Sequence, residues 1–419
     1  MNQKQQKEKY DLLVIGGGPS GMMAAGVAAE NGKKVLLLEK NSELGKKLKI
    51  TGGGRCNITN ATYDVRSFLL KFGDAGKFLH STFSQFDIRD TFTFFESRDL
   101  PMKIEPGNRA FPKTEKALDV FKVMEKYIDH KNITVLKNCS VEKISVAKQK
   151  GVVNSVETNK GIYVADNYII ATGGTSHPET GSTGDGFGWL EKIGHSVHTT
   201  SPNIVPLKVR DKWVKSLSGT SLSDIKITFS VNNKRIFSRT GKILFTHFGI
   251  SGPLILNSAH RVSDMLHEGI VTATIDTYPK IDIGVLEKNI LGIFDENKNK
   301  SFKNIIKQIA PNGLTQTILD LNIIKDPEVK VHSVSKEQRK ELANALKSLS
   351  MQIVDLMGMD RAVVSGGGIP LEEIDTKTMR SKIFSNLYLT GDILHINRPS
   401  GGYSLQLCWT TGHVAGTLQ

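Results

Sequence analysis

The stretch Tyr10-Asp11-Leu12-Leu13-Val14-Ile15-Gly16-Gly17-Gly18-Pro19-Ser20-Gly21 decides how this chain begins to fold. Tyr10 to Ile15 is an apolar run of strand length, and Gly16 to Gly21 satisfies G-x-G-x-x-G. Met22 to Asn31 reads as an alanine-rich helix that stops at Gly32, and Lys34 to Leu38 as a second buried strand. Together they predict a βαβ unit. Gly16 permits the tight turn, Gly18 lets backbone N–H groups approach a pyrophosphate at the positive end of the helix, and Gly21 lets helix and strand pack closely. Pro19 and Ser20 complete the turn. Glu39 ends the second strand about 20 residues on, where a carboxylate accepts hydrogen bonds from a ribose and repels a 2′-phosphate. Lys40 follows it. The expectation is a dinucleotide site.

This pattern does not separate FAD from NAD, so the far end of the chain matters. Asn386-Leu387-Tyr388-Leu389-Thr390 predicts a strand running into Gly391-Asp392, and Gly401-Gly402-Tyr403-Ser404-Leu405-Gln406 a loop opening a final helix. An Asp after such a strand can hold ribityl hydroxyls. A helix N-terminus aimed at an isoalloxazine stabilises negative charge on it. A domain for NAD alone has no need of this second element, so FAD is the expected cofactor.

Bulk properties bound the rest. A chain of 419 residues predicts two or three domains. No apolar run approaches the roughly 18 to 20 residues that span a bilayer. Met1 to Tyr10 is polar and charged, unlike a secretory signal. Three cysteines, Cys56, Cys139 and Cys408, are too few for a disulfide framework or a four-cysteine metal site and suit a reducing, cytoplasmic compartment. No metal is expected. The formal charge is +13, and residues 1–150 hold 26 Lys/Arg against 17 Asp/Glu, the remainder 29 against 25. A dinucleotide supplies only about two negative charges, so the surplus fits a polyanionic partner, or a chain that is simply lysine-rich.

The expected fold class is α/β: a discontinuous Rossmann-type FAD-binding domain with an inserted β-rich domain and a small helical domain. The boundaries read as 1–200 for the first part of the FAD domain and 201–282 for the β-rich insertion. Residues 283–350 read as helical, and 351–419 as the C-terminal completion of the FAD domain.

Several smaller features are candidate sites. Cys56 follows Arg55 and a glycine run, an electropositive setting that lowers a thiol pKa; it reads as a proton donor or redox partner, or as a small buried hydrophobe. Arg109, Phe111 and Lys113 place two cations around an aromatic ring, a patch that could grip phosphate and stack a base, or a solvated loop anchored by Phe111. His247 reads as catalytic or as part of a turn. Gly366–Gly368 follows an apolar run, but Ile369-Pro370 breaks any helix after it, so there is no second nucleotide fingerprint.

Further motifs carry a resemblance: Gly45-x-Lys47, Thr51-Gly52-Gly53-Gly54-Arg55-Cys56-Asn57, Ala171-Thr172-Gly173-Gly174, Thr246-His247-x-Gly249-x-Ser251-Gly252-Pro253 and the Gly391–Gly402 tail. Over essentially its whole length the chain resembles the bacterial NAD(P)/FAD-dependent oxidoreductases of the aminoacetone-oxidase-like and bile-acid-reductase-like group. The resemblance implies Glu39 on the adenosine ribose, with Lys47, Thr51, Gly53, Gly54, Arg55, Cys56 and Asn57 along the FAD. It places Val141 near the adenine and Ala171, Thr172 and Gly173 near the pyrophosphate, and completes the site with Gly391, Asp392, Gly401, Gly402, Tyr403 and Gln406. His395 to Pro399 departs from the family's more acidic, glycine-rich version. Some members are linked to dihydrouridine in large-subunit ribosomal RNA. Three functions follow as expectations: an NAD(P)H-fuelled reductase of that RNA, gripped through a basic surface; an oxidoreductase of a small amine or enone; or a flavin-holding RNA-binding protein without turnover.

Overall fold

The computed structural model describes residues 9–418; the start of the polar N-terminal segment, up to residue 8, lies outside them. The described chain forms two compact units, one from the residues up to Asn203 together with those from Met359 onward, the other from Ile204–Gly358.

The first unit is built on a seven-stranded sheet. Tyr10–Ile15 lies at its centre, with Val35–Leu38 and then Ile133–Leu136 on one side and Ala165–Ile170 and then Leu387–Leu389 on the other. These five strands are parallel, and two short antiparallel strands, Ile374–Asp375 and Arg380–Ser381, extend the sheet. The run Val35–Leu38 is buried at every residue because both faces of the sheet are covered. Helix Pro19–Glu30 is likewise buried on nearly every side. Its neighbour is the last helix, Tyr403–Gly416. A Cβ on Gly412 would lie 2.4 Å from the Ser20 carbonyl oxygen, and one on Gly416 2.6 Å from that of Ala24. Glycines one helical turn apart therefore let the two backbones touch. The C-terminal segment thus contributes both a sheet strand and a core helix to the domain that the N-terminus begins.

The second unit contains a closed six-stranded barrel ordered Leu207–Val209, Gly249–Ser251, Lys234–Thr246, Ser221–Val231, Val271–Asp276, Leu349–Leu356. Alternation fills it: Ile225, Ile227 and Phe229, Ala273 and Ile275, and Met351 and Ile353 are all buried. Helices Ile283–Glu296, Phe302–Ile309, Thr315–Asp320 and Lys336–Lys347 lie between the fifth and sixth strands in sequence. The sixth strand is where the molecule departs from the sequence reading. Residues 351–356 were expected with the C-terminal completion, but Val271 pairs with Ile353 and Ala273 with Met351, so this segment closes the barrel. Its alternating burial fits a barrel wall and not the continuous burial of a parallel central strand.

Candidate functional site

The three fingerprint glycines meet three different surroundings. Gly16 has φ +109°, and a Cβ there would lie 2.5 Å from the Ala171 carbonyl oxygen. A Cβ on Gly21 would lie 1.9 Å from the Gly16 carbonyl oxygen, whereas one on Gly18 would meet nothing within 4 Å. Two glycines are therefore required by packing and one faces open space. Pro19 opens the helix and no side chain caps it, so its first N–H groups face that space. Glu39 is buried beside it: one carboxylate oxygen accepts the Gly17 N–H at 2.9 Å, the other the Asn41 N–H and side-chain amide, each at 2.8 Å. The chain entering strand Val141–Ala147 passes alongside, since the Cys139 N–H donates to the Glu39 carbonyl at 2.9 Å.

Lysines behind this loop hold residues 176–185. Lys40 Nζ donates to Thr183 and pairs with Asp185 at 2.8 Å, and Lys46 reaches the Glu179 carbonyl at 2.9 Å. The half-buried Lys47 donates to Ser176 Oγ at 3.2 Å. Desolvation lowers the pKa of Lys47, opposed by the charge of Asp392. No local pattern announces these loop contacts, which join residues more than a hundred positions apart.

The turn at Thr51–Asn57 is left-handed at Gly52, Gly53, Gly54 and Cys56, with φ between +57° and +86°. Gly53 and Gly54 face open space, and Thr51 Oγ1 donates to the Leu48 carbonyl at 2.7 Å. Arg55 turns away from Cys56. Its guanidinium lies 4.3 Å from the centre of the Phe111 ring and pairs with Glu105 and Glu115. The expected lowering of the Cys56 pKa is thereby reversed: the thiol is wholly buried, and desolvation pushes it up to about 12. Phe111 is buried too, with Arg109 on it at 5.8 Å, so it offers no face to a base. Arg109 is tied to the Pro106 carbonyl and Glu105. Of that expected patch only Lys113 is exposed.

Ala171 extends the strand Ala165–Ile170, its N–H donating across to the Ile15 carbonyl of the central strand at 2.8 Å. Thr172 and Gly173 follow, Gly173 at φ +75°. Gly391 sits against Ser20, and Asp392 forms an ion pair with Arg398. That arginine, whose side chain is 1% exposed, also donates to the Ile396 carbonyl and Ser404 Oγ. Sequence reading missed it, although the unusual 395–399 segment was the signal. His395, in the same segment, has its ring centre 4.4 Å from that of His198. Gly401 and Gly402 adopt positive φ, and the last helix opens at Tyr403 with no side-chain cap. The Tyr403 ring packs on Phe68 and Phe72. Gln406 was expected to face a cofactor, but its amide is spent inside on Thr59, the Asp87 carbonyl and Thr410. His247 lies in the other compact unit, exposed in a turn and edge-on to Phe248.

Residues 10–418 match the model of the HI0933-like protein Rossmann domain. The chain belongs to this family. The 3-dehydro-bile acid delta(4,6)-reductase of Clostridium scindens is 29% identical over 406 residues, 96% of this chain and 97% of the relative. The ribosomal RNA dihydrouridine synthase of Escherichia coli is 25% identical over 404 residues, 96% of each. Among solved structures, a 3-ketosteroid-delta4-(5alpha)-dehydrogenase from Rhodococcus jostii shares the fold with a TM-score of 0.53 at 14% identity, over 99% of this chain and 97% of that one.

This member of the family is an FAD-dependent oxidoreductase with a Rossmann-type FAD-binding domain. Its own residues suit the cofactor. Open space fronts Gly18, Gly53 and Gly54, two helix N-termini lack side-chain caps, and Asn57 Oδ1, Thr172 Oγ1 and Thr390 Oγ1 are buried without a partner. A polar ligand rich in acceptors and hydroxyls would satisfy such groups. Among the described residues no cluster of three or more His, Cys, Asp or Glu could hold a metal, and no helix is long and apolar enough to cross a membrane.

Proposed function

We propose that this chain is an NAD(P)H-fuelled reductase of a carbon–carbon double bond conjugated to a carbonyl, and that its substrate is uridine in ribosomal RNA. The named relatives act on unlike molecules, a bile acid and an RNA, yet both reductions concern a double bond activated by an adjacent carbonyl system. Such a reduction adds hydride to one carbon and a proton to the other. FAD, when bound, supplies the hydride transfer. The chain binds and orients it: the Ser20 and Gly21 N–H groups take the pyrophosphate, with Ala171–Gly173 against it. Glu39, its carboxylate already fixed by Gly17 and Asn41, takes the ribose, and Val141 the adenine. Thr51, Gly53, Gly54, Asn57 and Lys47 line the length of the cofactor. Gly391 and Asp392 take the ribityl chain, and the helix N-terminus at Gly401–Tyr403 favours negative charge at the ring.

Lys47 adds one positive charge that the neutral Asp392–Arg398 pair leaves unbalanced. NAD(P)H docks transiently in this reading. Gly366–Gly368, the remaining glycine cluster, is a strand paired with His198–Pro202, and a Cβ on Gly367 would lie 2.4 Å from the Thr199 carbonyl oxygen, so it leaves no room for a second nucleotide.

The observation that favours RNA over a small apolar substrate is the formal charge of +13. Its test is the dihydrouridine content of ribosomal RNA in cells with and without the gene. Loss of a dihydrouridine on deletion, restored by wild type but not by Glu39→Arg, supports the reading; an unchanged map refutes it. A second reading, reduction of a small enone, is favoured by the 29% identity to the bile-acid reductase. It predicts turnover of a 4-en-3-one steroid by the purified, NAD(P)H-reduced enzyme.

A further inference from the structure

The cations of the barrel unit differ from those around the flavin site. Strand Lys234–Thr246 carries Lys234, Arg235, Arg239 and Lys242 and no Asp or Glu, and all four are exposed. Its antiparallel partner Ser221–Val231 adds Lys226. The register sorts them. Buried Ile225, Ile227 and Phe229 point inward, so Lys226 and Thr228 point outward, and their partners Thr240 and Ser238 share that outer face. Two residues past Thr240 lies Lys242. Arg235 pairs with Ser230 across a bulge and donates to Ser238 Oγ at 2.9 Å, which puts it on the same side.

The next strand, Val271–Asp276, continues the face: Thr272 lies opposite Ser230 and Thr274 opposite Thr228. One outer wall of the barrel therefore presents rows of exposed or half-exposed hydroxyls, Thr228, Ser230, Ser238, Thr240, Thr272 and Thr274, studded with Lys226, Arg235 and Lys242. The acid opposite Lys226, Asp276, is taken by Lys347 at 2.9 Å. None of the three cations is ion-paired among the described residues.

We propose that this wall is the RNA-contacting surface, gripping the sugar-phosphate backbone; the inference rests on the RNA reading above. Phosphate oxygens accept hydrogen bonds from Ser and Thr hydroxyls and from Lys and Arg, and such contacts position a nucleic acid without reading its bases. A face with hydroxyl donors, unpaired cations and no aromatic platform suits that role. It leaves base selection to the flavin site.

The test is fluorescence anisotropy of the full-length, flavin-loaded protein with a labelled single-stranded RNA oligonucleotide across a salt series. Each phosphate contact contributes about 0.7 to the slope of log affinity against log salt for single strands. The triple variant Lys226→Gln/Arg235→Gln/Lys242→Gln should lower affinity by about tenfold or more and flatten the slope by about 2. Its flavin content and melting temperature should be unchanged. Lys226→Arg/Arg235→Lys/Lys242→Arg should retain binding. A control that removes Lys122, Lys126 and Lys131, exposed on the other unit, should bind nearly as wild type. Equal binding by wild type and the triple variant, or an equal loss in the control, overturns the proposal. Wild-type protein that binds no RNA overturns the RNA reading as well. Binding to anionic lipid vesicles but not to RNA would do the same and assign the wall to a membrane surface.

Discussion

Cations in the two units differ in the partners the fold gives them. In the flavin unit several are tied to acids: Lys40 to Asp185, Arg98 to Glu30, Arg55 and Lys103 to Glu105 and Glu115, Arg398 to Asp392. On the barrel wall they are not. Counted by unit, residues 204–358 hold 22 Lys/Arg against 15 Asp/Glu, and the larger flavin unit 33 against 27. The surplus of residues 1–150 is cancelled in part by 7 against 10 in the flavin unit's remaining segments. Net charge counted along the sequence and net charge counted by unit thus rank the two parts differently. What attracts a polyanion is a cation with no carboxylate beside it, and pairing is decided by the fold.

The largest expected effects lie in the flavin unit, where one motif contains both kinds of glycine. Gly21→Val should destabilise the apoprotein by about 3 kcal/mol or more, because its Cβ would collide with backbone that cannot yield. Gly18→Val, on a helix N-cap with nothing near it, should leave the urea midpoint of the apoprotein almost unchanged while weakening FAD binding by about tenfold or more. Urea unfolding and flavin-fluorescence titration of the two variants separate the roles. Equal loss of stability in both would show that Gly18 is packed and not open.

Next in size is the buried pair. Arg398→Leu leaves Asp392 without its counter-charge, and loss of one partner of a buried ion pair costs about 3–5 kcal/mol. The double variant Asp392→Asn/Arg398→Leu should recover much of that stability. By contrast, removing an exposed, unpaired cation from the barrel wall should change the unfolding free energy by less than about 0.5 kcal/mol. If Arg398→Leu is as mild as Lys242→Gln, the contrast between paired and unpaired cations collapses.

Smaller again is a pH effect confined to the flavin unit. His195 is buried between Glu373, at 2.6 Å from Nδ1, and Ser381, at 3.0 Å from Nε2. Desolvation nevertheless lowers its pKa below the ordinary 6.5, and burial does the same for His395 and His413. A histidine whose folded pKa lies below its unfolded value binds more protons when unfolded. Its stability contribution is therefore fully present above about pH 6.5 and is lost as pH falls below that. Urea midpoints measured from pH 7.5 down to 5 should fall, and His195→Gln should flatten the slope. A midpoint that rises on acidification would mean that the Glu373 carboxylate outweighs burial.

Legibility in the sequence followed distance along the chain. The βαβ unit and Glu39 lie within thirty residues of each other, and local turn chemistry and strand-length apolar runs were enough to read them. The return of the chain at Leu387–Tyr403 was legible because a strand, a glycine turn and a helix start recur there in order. Residues 349–356 were not, since their alternation marks a strand with one covered face but nothing local names the partner, Val271–Asp276, on which it closes the barrel. The partners of Arg55 and Arg398 were also hidden: Glu105 is fifty residues away, and Asp392, although near, is joined through a loop whose path no periodicity dictates.

Cys56 gives the smallest expected effect and the sharpest contrast with its neighbourhood in sequence. Beside an arginine and four exposed or half-exposed turn residues it read as an activated thiol or as a small buried hydrophobe, and its backbone at φ +57° turns the side chain wholly inward. Cys408 is buried likewise, and both thiols are pushed up to about 12, so neither carries thiolate at neutral pH. Native protein at pH 8 should show no fast reaction with a disulfide reagent, whereas the urea-unfolded chain should titrate all three cysteines. Cys56→Ala should cost about 1 kcal/mol for the lost packing and change turnover by less than about twofold. Rapid modification of Cys56 in the folded protein, or a turnover loss far beyond the stability loss, would restore it as the proton donor and place open space where the fold now closes.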